Sequence, residues 1–407
     1  MAETSDVGPL SVNLRLYAWH QVLAGLLFWL PTSFLFLLER VSLGSALRIL
    51  AVYFLAVVVL EVPSGWASDR FGRVRTLRAG AIAWILAFAV FVVGGESVVV
   101  LGAGQVLMAA GFAALSGTTS AFHYDTLEAL GIAGEFERRE SAISRNGLIG
   151  TTIAVLAGGA LGFVDLRLPF AASLVAAAAQ LVVVMRMTEP SQGSSDGSQV
   201  EVPIPRLVDV VRYLKQPSLA WIFVFMVVQQ PLEGLALDQI QPWLAVVTGN
   251  SLEDSGSTPL LSGALIAVIS LVGAFTAGAS HRLRAALGLR RALVLLASIE
   301  ALILVGMAVT FSPLLLPLLA LRSTQAAAGP VLVAAATAPV LARHHRATFL
   351  SIGSLAGRLA YGVVLVALGF VSDFNTVLTA SGVIGVASVG VLIASSFLLR
   401  SENLDAR

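Results

Sequence analysis

Glu61-Val62-Pro63-Ser64-Gly65-Trp66-Ala67-Ser68-Asp69-Arg70-Phe71-Gly72-Arg73 is the stretch on which the reading of this chain turns. An apolar run from Leu50 to Leu60 leads into it, and a second, Ala79 to Val93, leads away. Between them stand the breakers Pro63, Gly65 and Gly72 and the charges Asp69, Arg70, Arg73, Arg75 and Arg78. The pattern predicts two membrane-crossing helices, the first breaking at Pro63 and Gly65, joined by a tight turn. Its arginine-rich tip should lie in the cytoplasm. Gly65 and Gly72 are expected to permit close helix approach and a sharp bend.

The composition calls for that setting. Of the 407 residues, 57% are hydrophobic and 12% charged, against roughly 25% charged in soluble domains. So few charges cannot solvate a surface of this size, and the lipid bilayer is the expected solvent. A net charge of +1 without a basic aromatic cluster argues against a nucleic-acid partner. The absence of cysteine excludes disulfides and thiolate metal sites. No histidine or carboxylate spacing suits a metal and no Gly-x-x-x-x-Gly-Lys-Ser/Thr loop is present, so no cofactor and no ATP drive are expected. The polar start, with Glu3 and Asp6, does not read as a cleavable signal. Arginine-dominated basic residues and abundant alanine fit a GC-rich bacterial genome, hence a bacterial cytoplasmic membrane.

Apolar segments of about 20 residues can be laid out as twelve: 14–38, 44–66, 79–93, 98–124, 142–164, 168–187, 218–247, 259–279, 292–311, 313–341, 347–371 and 376–399. With the N-terminus inside, 20 of the 25 lysines and arginines fall on the cytoplasmic side and 3 outside, an asymmetry that supports both the even count and cytoplasmic termini. Between the sixth and seventh spans, Glu189 to Gln199 reads as a flexible polar linker. Leu207, Val210, Val211 and Leu214 follow at helical spacing, an amphipathic helix along the membrane surface. The expected organisation is a six-helix half over 1–188, a linker over 189–217 and a second six-helix half over 218–407. Gly278, His281, Arg282, Arg284, Gly288, Arg290 and Arg291 weakly repeat the opening stretch in the second half.

Three stretches carry a family resemblance. Gly65-x-x-x-Asp69-Arg70-x-Gly72-Arg73 resembles the loop signature of the major facilitator superfamily of transporters. Ser116-Gly117-Thr118 followed by Tyr124-Asp125, and Arg346, Thr348, Ser351, Leu355 and Arg358, resemble its bacterial branch of drug or metabolite exporters. Two features depart from the drug–proton antiporters. Gln105 and Leu107 stand where those carry an arginine in the fourth helix, and Gly147, Gly150, Gly158 and Gly159 lack the proline of their fifth-helix motif. The resemblance implies an all-α fold of twelve transmembrane helices in two rocking halves. It also implies that the loop of Gly65, Asp69, Arg70, Gly72 and Arg73 is a gating latch between the second and eleventh helices, with Asp125 as a candidate partner. Ordinary positive-inside charge is the plainer explanation of the same loop.

Ionisable groups inside spans are the other lead, since a charge at the bilayer centre costs at least about 2.5 kcal/mol unless paired or wetted. Glu233 and Asp238 lie deep in the seventh span, Glu300 in the ninth, Arg322 in the tenth and Arg358 in the eleventh. The resemblance places the first, fourth, seventh and tenth helices around the cavity. That makes Glu233, Asp238 and Arg322 the candidates for proton coupling and substrate contact, with Gln230, Gln325 and Gln105 beside them. Gln229, Gln230 and Glu233 are expected on one face of the seventh helix, Arg322 and Gln325 on one face of the tenth. An Arg–Glu pair that merely fixes packing remains the alternative, and it is the expected role of Glu300 and Arg358. Glu61, about one turn inside the cytoplasmic end of its helix, is expected to serve the latch. His20, Gln21, Trp29, Met108, Ser116 and Thr119 are further cavity candidates. His123, His344 and His345 are expected to be solvated at inner helix ends.

The expected protein is therefore a monomeric secondary transporter, not an enzyme. Its partners are a small-molecule substrate, protons and the bilayer. Export of hydrophobic or drug-like compounds is the first reading. Uptake of an anionic metabolite anchored on Arg322 is the second, and a transport-inactive sensor with the same fold the third.

Overall fold

A computed structural model describes residues 7–190, 212–341 and 343–398 of the chain. Among the described residues the regular structure is helical, with no strand. The surface helix expected around Leu207, Val210 and Val211 falls outside them. The helices are α1 (Val7–Ala24), α2 (Ser33–Leu38), α3 (Leu43–Phe71), α4 (Arg73–Val93), α5 (Val98–Leu115), α6 (Thr118–Ala129), α7 (Phe136–Val164) and α8 (Leu168–Met185). After the linker come α9 (Pro217–Val247), α10 (Thr258–Leu287), α11 (Leu289–Val309), α12 (Leu316–Leu319), α13 (Ser323–Thr337), α14 (Arg343–Leu368) and α15 (Phe374–Leu398).

Among the described residues, eleven helical stretches are long and apolar enough to cross a membrane. The first expected span, 14–38, is interrupted instead: α1 stops at Ala24, an irregular stretch and a short 3-10 turn follow, and α2 completes it. Thr151 of α7 donates to the Gly25 carbonyl at 2.7 Å, which also accepts from the Leu27 N–H at 2.9 Å, so the break is braced by α7. Two other spans are also broken, the fourth at Ser116–Gly117 between α5 and α6 and the tenth at 320–322 between α12 and α13.

The opening stretch corrects one expectation. The helix does not break at Pro63 and Gly65; α3 runs through both to Phe71 and ends at Gly72. Past Pro63 the Ser64 hydroxyl lies within hydrogen-bond distance of the carbonyls of Glu61 at 2.9 Å and of Ala113 of α5 at 2.8 Å, fastening α3 to α5 at this point. Gly72 makes the turn with φ 103° and ψ 152°, a region open almost solely to glycine. Gly288, with φ 76°, does the same between α10 and α11, where the weak repeat lies. A Cβ on Gly65 would meet no described atom within 4 Å, so this glycine does not serve close packing. Because α4 begins at Arg73, the third span is 21 residues long rather than the short 79–93 read from the apolar run.

The chain divides into two units, Met1–Ser33 with Val52–Val202 and Phe34–Ala51 with Pro203–Arg407. In the first, α4 packs on α5 and α8, and α1 on α7 and α8. Tyr17, Leu77, Phe122 and Val184 form its fully buried centre. Asn13 exchanges two hydrogen bonds with the backbone of Thr188, at 2.8 and 3.0 Å, and so ties down the exit of α8. In the second unit α9 packs on α14, α11 on α15 and α10 on α13. The indoles of Trp221 and Trp243 donate to the carbonyls of Leu392 and Thr310, at 3.1 and 2.9 Å, giving each buried N–H a partner. Gln241 accepts from the backbone N–H groups of Phe34 and Leu35, which caps α2 within this unit. Val59, Val93, Phe275 and Phe397 point outward, a surface that suits lipid.

Candidate functional site

Four intramembrane ionisable groups of the second unit, Glu233, Asp238, Glu300 and Arg322, lie in one electrostatic neighbourhood. The Arg322 guanidinium donates from Nη2 to the Glu233 carbonyl at 3.0 Å, and the same nitrogen lies 3.6 Å from Glu233 Oε1. Tyr361 of α14 donates its hydroxyl to Asp238 Oδ2 at 2.5 Å. Asp238 lies in the field of Arg322, and Glu300 in the fields of Arg322 and Glu233. Four spans therefore contribute to one electrostatic cluster: α9 with Glu233 and Asp238, α11 with Glu300, the break before α13 with Arg322, and α14 with Tyr361. Arg322 thus pairs with Glu233 and acts electrostatically on Asp238 and Glu300.

Local structure explains the placements. Arg322 is not within a regular helix, as its position in the tenth span predicts. It is the residue just before α13, the last of the break at 320–322, and its side chain is 9% exposed. In α9, Pro231 and Pro242 lack the N–H that would bind the carbonyls of Val227 and Asp238, yet the helix continues through both. Glu300 departs from the packing-pair expectation in its surroundings. It is fully buried on α11, neither carboxyl oxygen has a hydrogen-bond partner among the described residues, and it belongs to the Arg322 cluster.

The glutamines separate. Gln325 is fully buried on α13 with neither amide atom hydrogen-bonded among the described residues. Gln230 packs on α14, where a Cβ on Gly357 would stand 2.7 Å from its Cγ. Gln229 instead adjoins Gly329 of α13, so these two neighbours do not share a face. Gln105 is buried on α5 of the first unit. Arg358 is half-buried on α14. His20, a cavity candidate, is fully buried against Gln180 of α8 at 3.3 Å.

The loop of the first unit is assembled as an ion-pair node. Arg73 reaches Asp69 from Nη1 at 2.5 Å and Asp125 of α6 from Nε at 3.3 Å. Its Nη1 also donates to Ser68 at 3.0 Å, and Ser68 accepts from Thr118 at the start of α6. Arg70 stands apart over the Trp66 ring, 5.4 Å from its centroid. Glu61 lies ten residues before the end of α3, about 15 Å at 1.5 Å per residue, rather than one turn from it.

Two participants escaped the sequence reading. Glu189, read there as linker, accepts from the backbone N–H groups of Arg73 at 2.6 Å and Val74 at 2.8 Å. Its carboxylate thereby satisfies the open donors at the start of α4 and meets the positive end of the helix dipole. The signal available was its acid at the end of the sixth span, but nothing local links positions 189 and 73. Tyr361 had no signal at all, since a tyrosine in an apolar helix is ordinary.

A family model described as Major Facilitator Superfamily matches residues 18–364. No protein of curated function matches the sequence. Among solved structures, a mutant of the nucleoside transporter NupG superposes with a TM-score of 0.78 at 13% identity, over 95% of this chain and 99% of that one. A D-xylose–proton symporter does so with 0.65 at 14%, over 93% and 96%. A bacterial homologue of the human lysosomal transporter Spinster, in an inward-facing and occupied conformation, gives 0.65 at 15%, over 97% and 98%. At these identities the likeness is one of fold.

Proposed function

Since the chain belongs to the major facilitator superfamily, a family of membrane transporters and not enzymes, we propose that it is a secondary active transporter coupled to protons through the Arg322 cluster. The observation that carries this reading is that Arg322 pairs with Glu233 while Asp238 and Glu300 lie in its field. Such a set binds and releases a proton or a cation as Arg322 changes partner, whereas a packing pair needs one acid for one base. Glu233 and Asp238 are the coupling carboxylates; Gln230, Gln325 and Gln105 are accessory polar contacts. Halves over 1–188 and 218–407 alternate access, joined by the linker over 189–217, and Gly72, Asp69, Arg73 and Asp125 form the latch.

The transported compound is a small, apolar or weakly cationic molecule, and the direction is export from the cytoplasm of a bacterium, with both termini inside. An acid-rich cluster favours this over uptake of an anion, because Arg322 is already engaged by the Glu233 carboxylate and carbonyl. The assembled ion-pair node at Arg73 suits a protein that moves better than a static sensor.

Sealed proteoliposomes with a trapped pH dye test the proposal, with wild type compared to Glu233→Gln and Asp238→Asn over a panel of lipophilic cations, weak acids and sugars. Substrate-dependent proton movement, lost in either variant, is the expected result. Flux of a labelled compound without proton movement would sink the coupling and leave the acids as packing groups. A reporter fused after Gly249 is expected outside, and a cytoplasmic signal there overturns the topology.

A further inference from the structure

His123 and Glu140 form an ionisable pair in the first unit that the transport reading leaves unused. The sequence suggests a solvated imidazole at a helix end. In the structure His123 is 1% exposed, and its Nδ1 lies 2.6 Å from Oε2 of Glu140 on α7. Tyr17 of α1 donates its hydroxyl to the same carboxylate, 3.0 Å from Oε1, and its ring stacks on the imidazole with centroids 4.3 Å apart. Gln21 in turn donates to the Tyr17 oxygen at 2.8 Å. Phe136 of α7 stands 5.5 Å from the imidazole, and Arg139 of α7 lies within electrostatic reach of it. The Glu140 side chain keeps 23% exposure. The ring is buried and the carboxylate partly exposed.

With one proton, this pair is a neutral imidazole donating Nδ1–H to a carboxylate. A second proton, taken on the Nε2 lone pair, makes an imidazolium–carboxylate ion pair. Histidine is the side chain whose ordinary titration falls between about pH 5 and 8. Its place on α6 gives that step a mechanical consequence. Asp125, two residues on, binds Arg73 of the loop. Two residues turn a helix by about 200°, so α6 is held from opposite sides, by α1 and α7 through His123 and by the loop through Asp125. The helix has 12 residues and starts at the Ser116–Gly117 break, which leaves it a hinge.

We propose that the His123–Glu140 pair is a second proton-binding site, separate from the Arg322 cluster, whose occupancy sets the seat of α6 and thereby the grip of Asp125 on Arg73. The purpose of such a site rests on the transporter reading, but its existence is tested without any substrate.

The full chain in lipid nanodiscs, labelled with nitrogen-15 in its histidine rings, gives the direct measurement, with the His123 signal identified by its loss in His123→Gln. That signal is expected to report protonation as the pH falls across the range from neutral to acidic, with a midpoint that shifts in Glu140→Gln. A His123 signal unchanged across the range overturns the proposal. The chain has no cysteine, so a nitroxide on Glu128→Cys, an exposed position of α6, reports the seat of that helix. Its mobility is expected to change over the same pH range, and the change to be lost in His123→Gln and in Glu140→Gln. If His123→Gln does not fold, Glu140→Gln decides alone. No change in the parent, or one that survives in the variants, overturns the link to α6.

Discussion

The hydroxyl of Tyr361 donates to Oδ2 of Asp238 at 2.5 Å, tying α14 to α9 through a ring that is 1% exposed. The approach depends on residue 234 being glycine: a Cβ there would stand 2.2 Å from the Tyr361 ring. The missing side chain lets the two helices bring a phenol onto a carboxylate.

Gly234→Ala is therefore expected to push the ring away and to break the bond to Asp238. Overpacking of this kind costs about 1–3 kcal/mol, and proton flux should fall as far as in Asp238→Asn. Thermal melting and flux measured together check this. An unchanged melting temperature would show that the contact yields without cost.

Tyr361→Phe keeps the packing and removes only the donor. The acceptor left without its partner costs about 1–3 kcal/mol. The pH profile of flux is expected to shift, with a smaller effect on substrate affinity. A lower melting temperature with an unmoved profile would confine Tyr361 to packing.

Glu189→Ala removes the cap from α4, a loss of about 0.5–2 kcal/mol by analogy with helix caps. Gly72→Ala strikes the same point from the other side. Its backbone sits where other residues are strained by about 1–3 kcal/mol, and its new Cβ would lie 3.0 Å from the Glu189 carboxyl. The double variant is expected to lose less than the sum of the two, read by denaturation in detergent. Strict additivity would mean that the two residues act independently.

Arg73 and Asp125 are partly exposed, so a double-mutant cycle should give a coupling of roughly 0–1 kcal/mol in stability. Their weight is expected in turnover. Asp69→Asn and Asp125→Asn should each slow transport several-fold at nearly constant substrate affinity. Loss of binding with turnover spared would refute the latch.

Asp373, between α14 and α15, accepts from the hydroxyl and backbone N–H of Thr376, both at 2.7 Å. These donors hold its carboxyl below its ordinary value of 3.8. A group depressed on folding adds stability above its unfolded value and loses it as pH falls through the folded one. Asp373→Ala is thus expected to lower the melting temperature at neutral pH. Wild type and variant should converge as the pH drops below the ordinary carboxylate range. A constant gap down to that acidity would contradict the assignment.

Much of the fold was legible in the residues. Apolar length and arginine placement located the spans, because lipid leaves the backbone no state but the helix. Breaks were harder. Pro63 and Gly65 looked like a turn and are helix, since the intact neighbouring bonds carry the chain past them. Arg322 looked mid-helical and stands at a break that no proline or glycine marks. The loop partners Arg73 and Asp125 were named through the family resemblance, whereas Glu189 and Tyr361 carry no local pattern.

By itself, then, the sequence determined the apolar, helical character of the chain, the arginine-rich loop and which charges lie within apolar spans, for these follow from composition and from spacing along one helix. Only the tertiary structure decided which charges meet. It gathered Glu300 with Glu233 and Arg322, gave Asp238 to Tyr361, placed Glu189 on α4 and closed Glu140 over His123. Each of those contacts joins residues far apart in sequence, and helix rotation and close approach, which set them, depend on the neighbours each helix packs against.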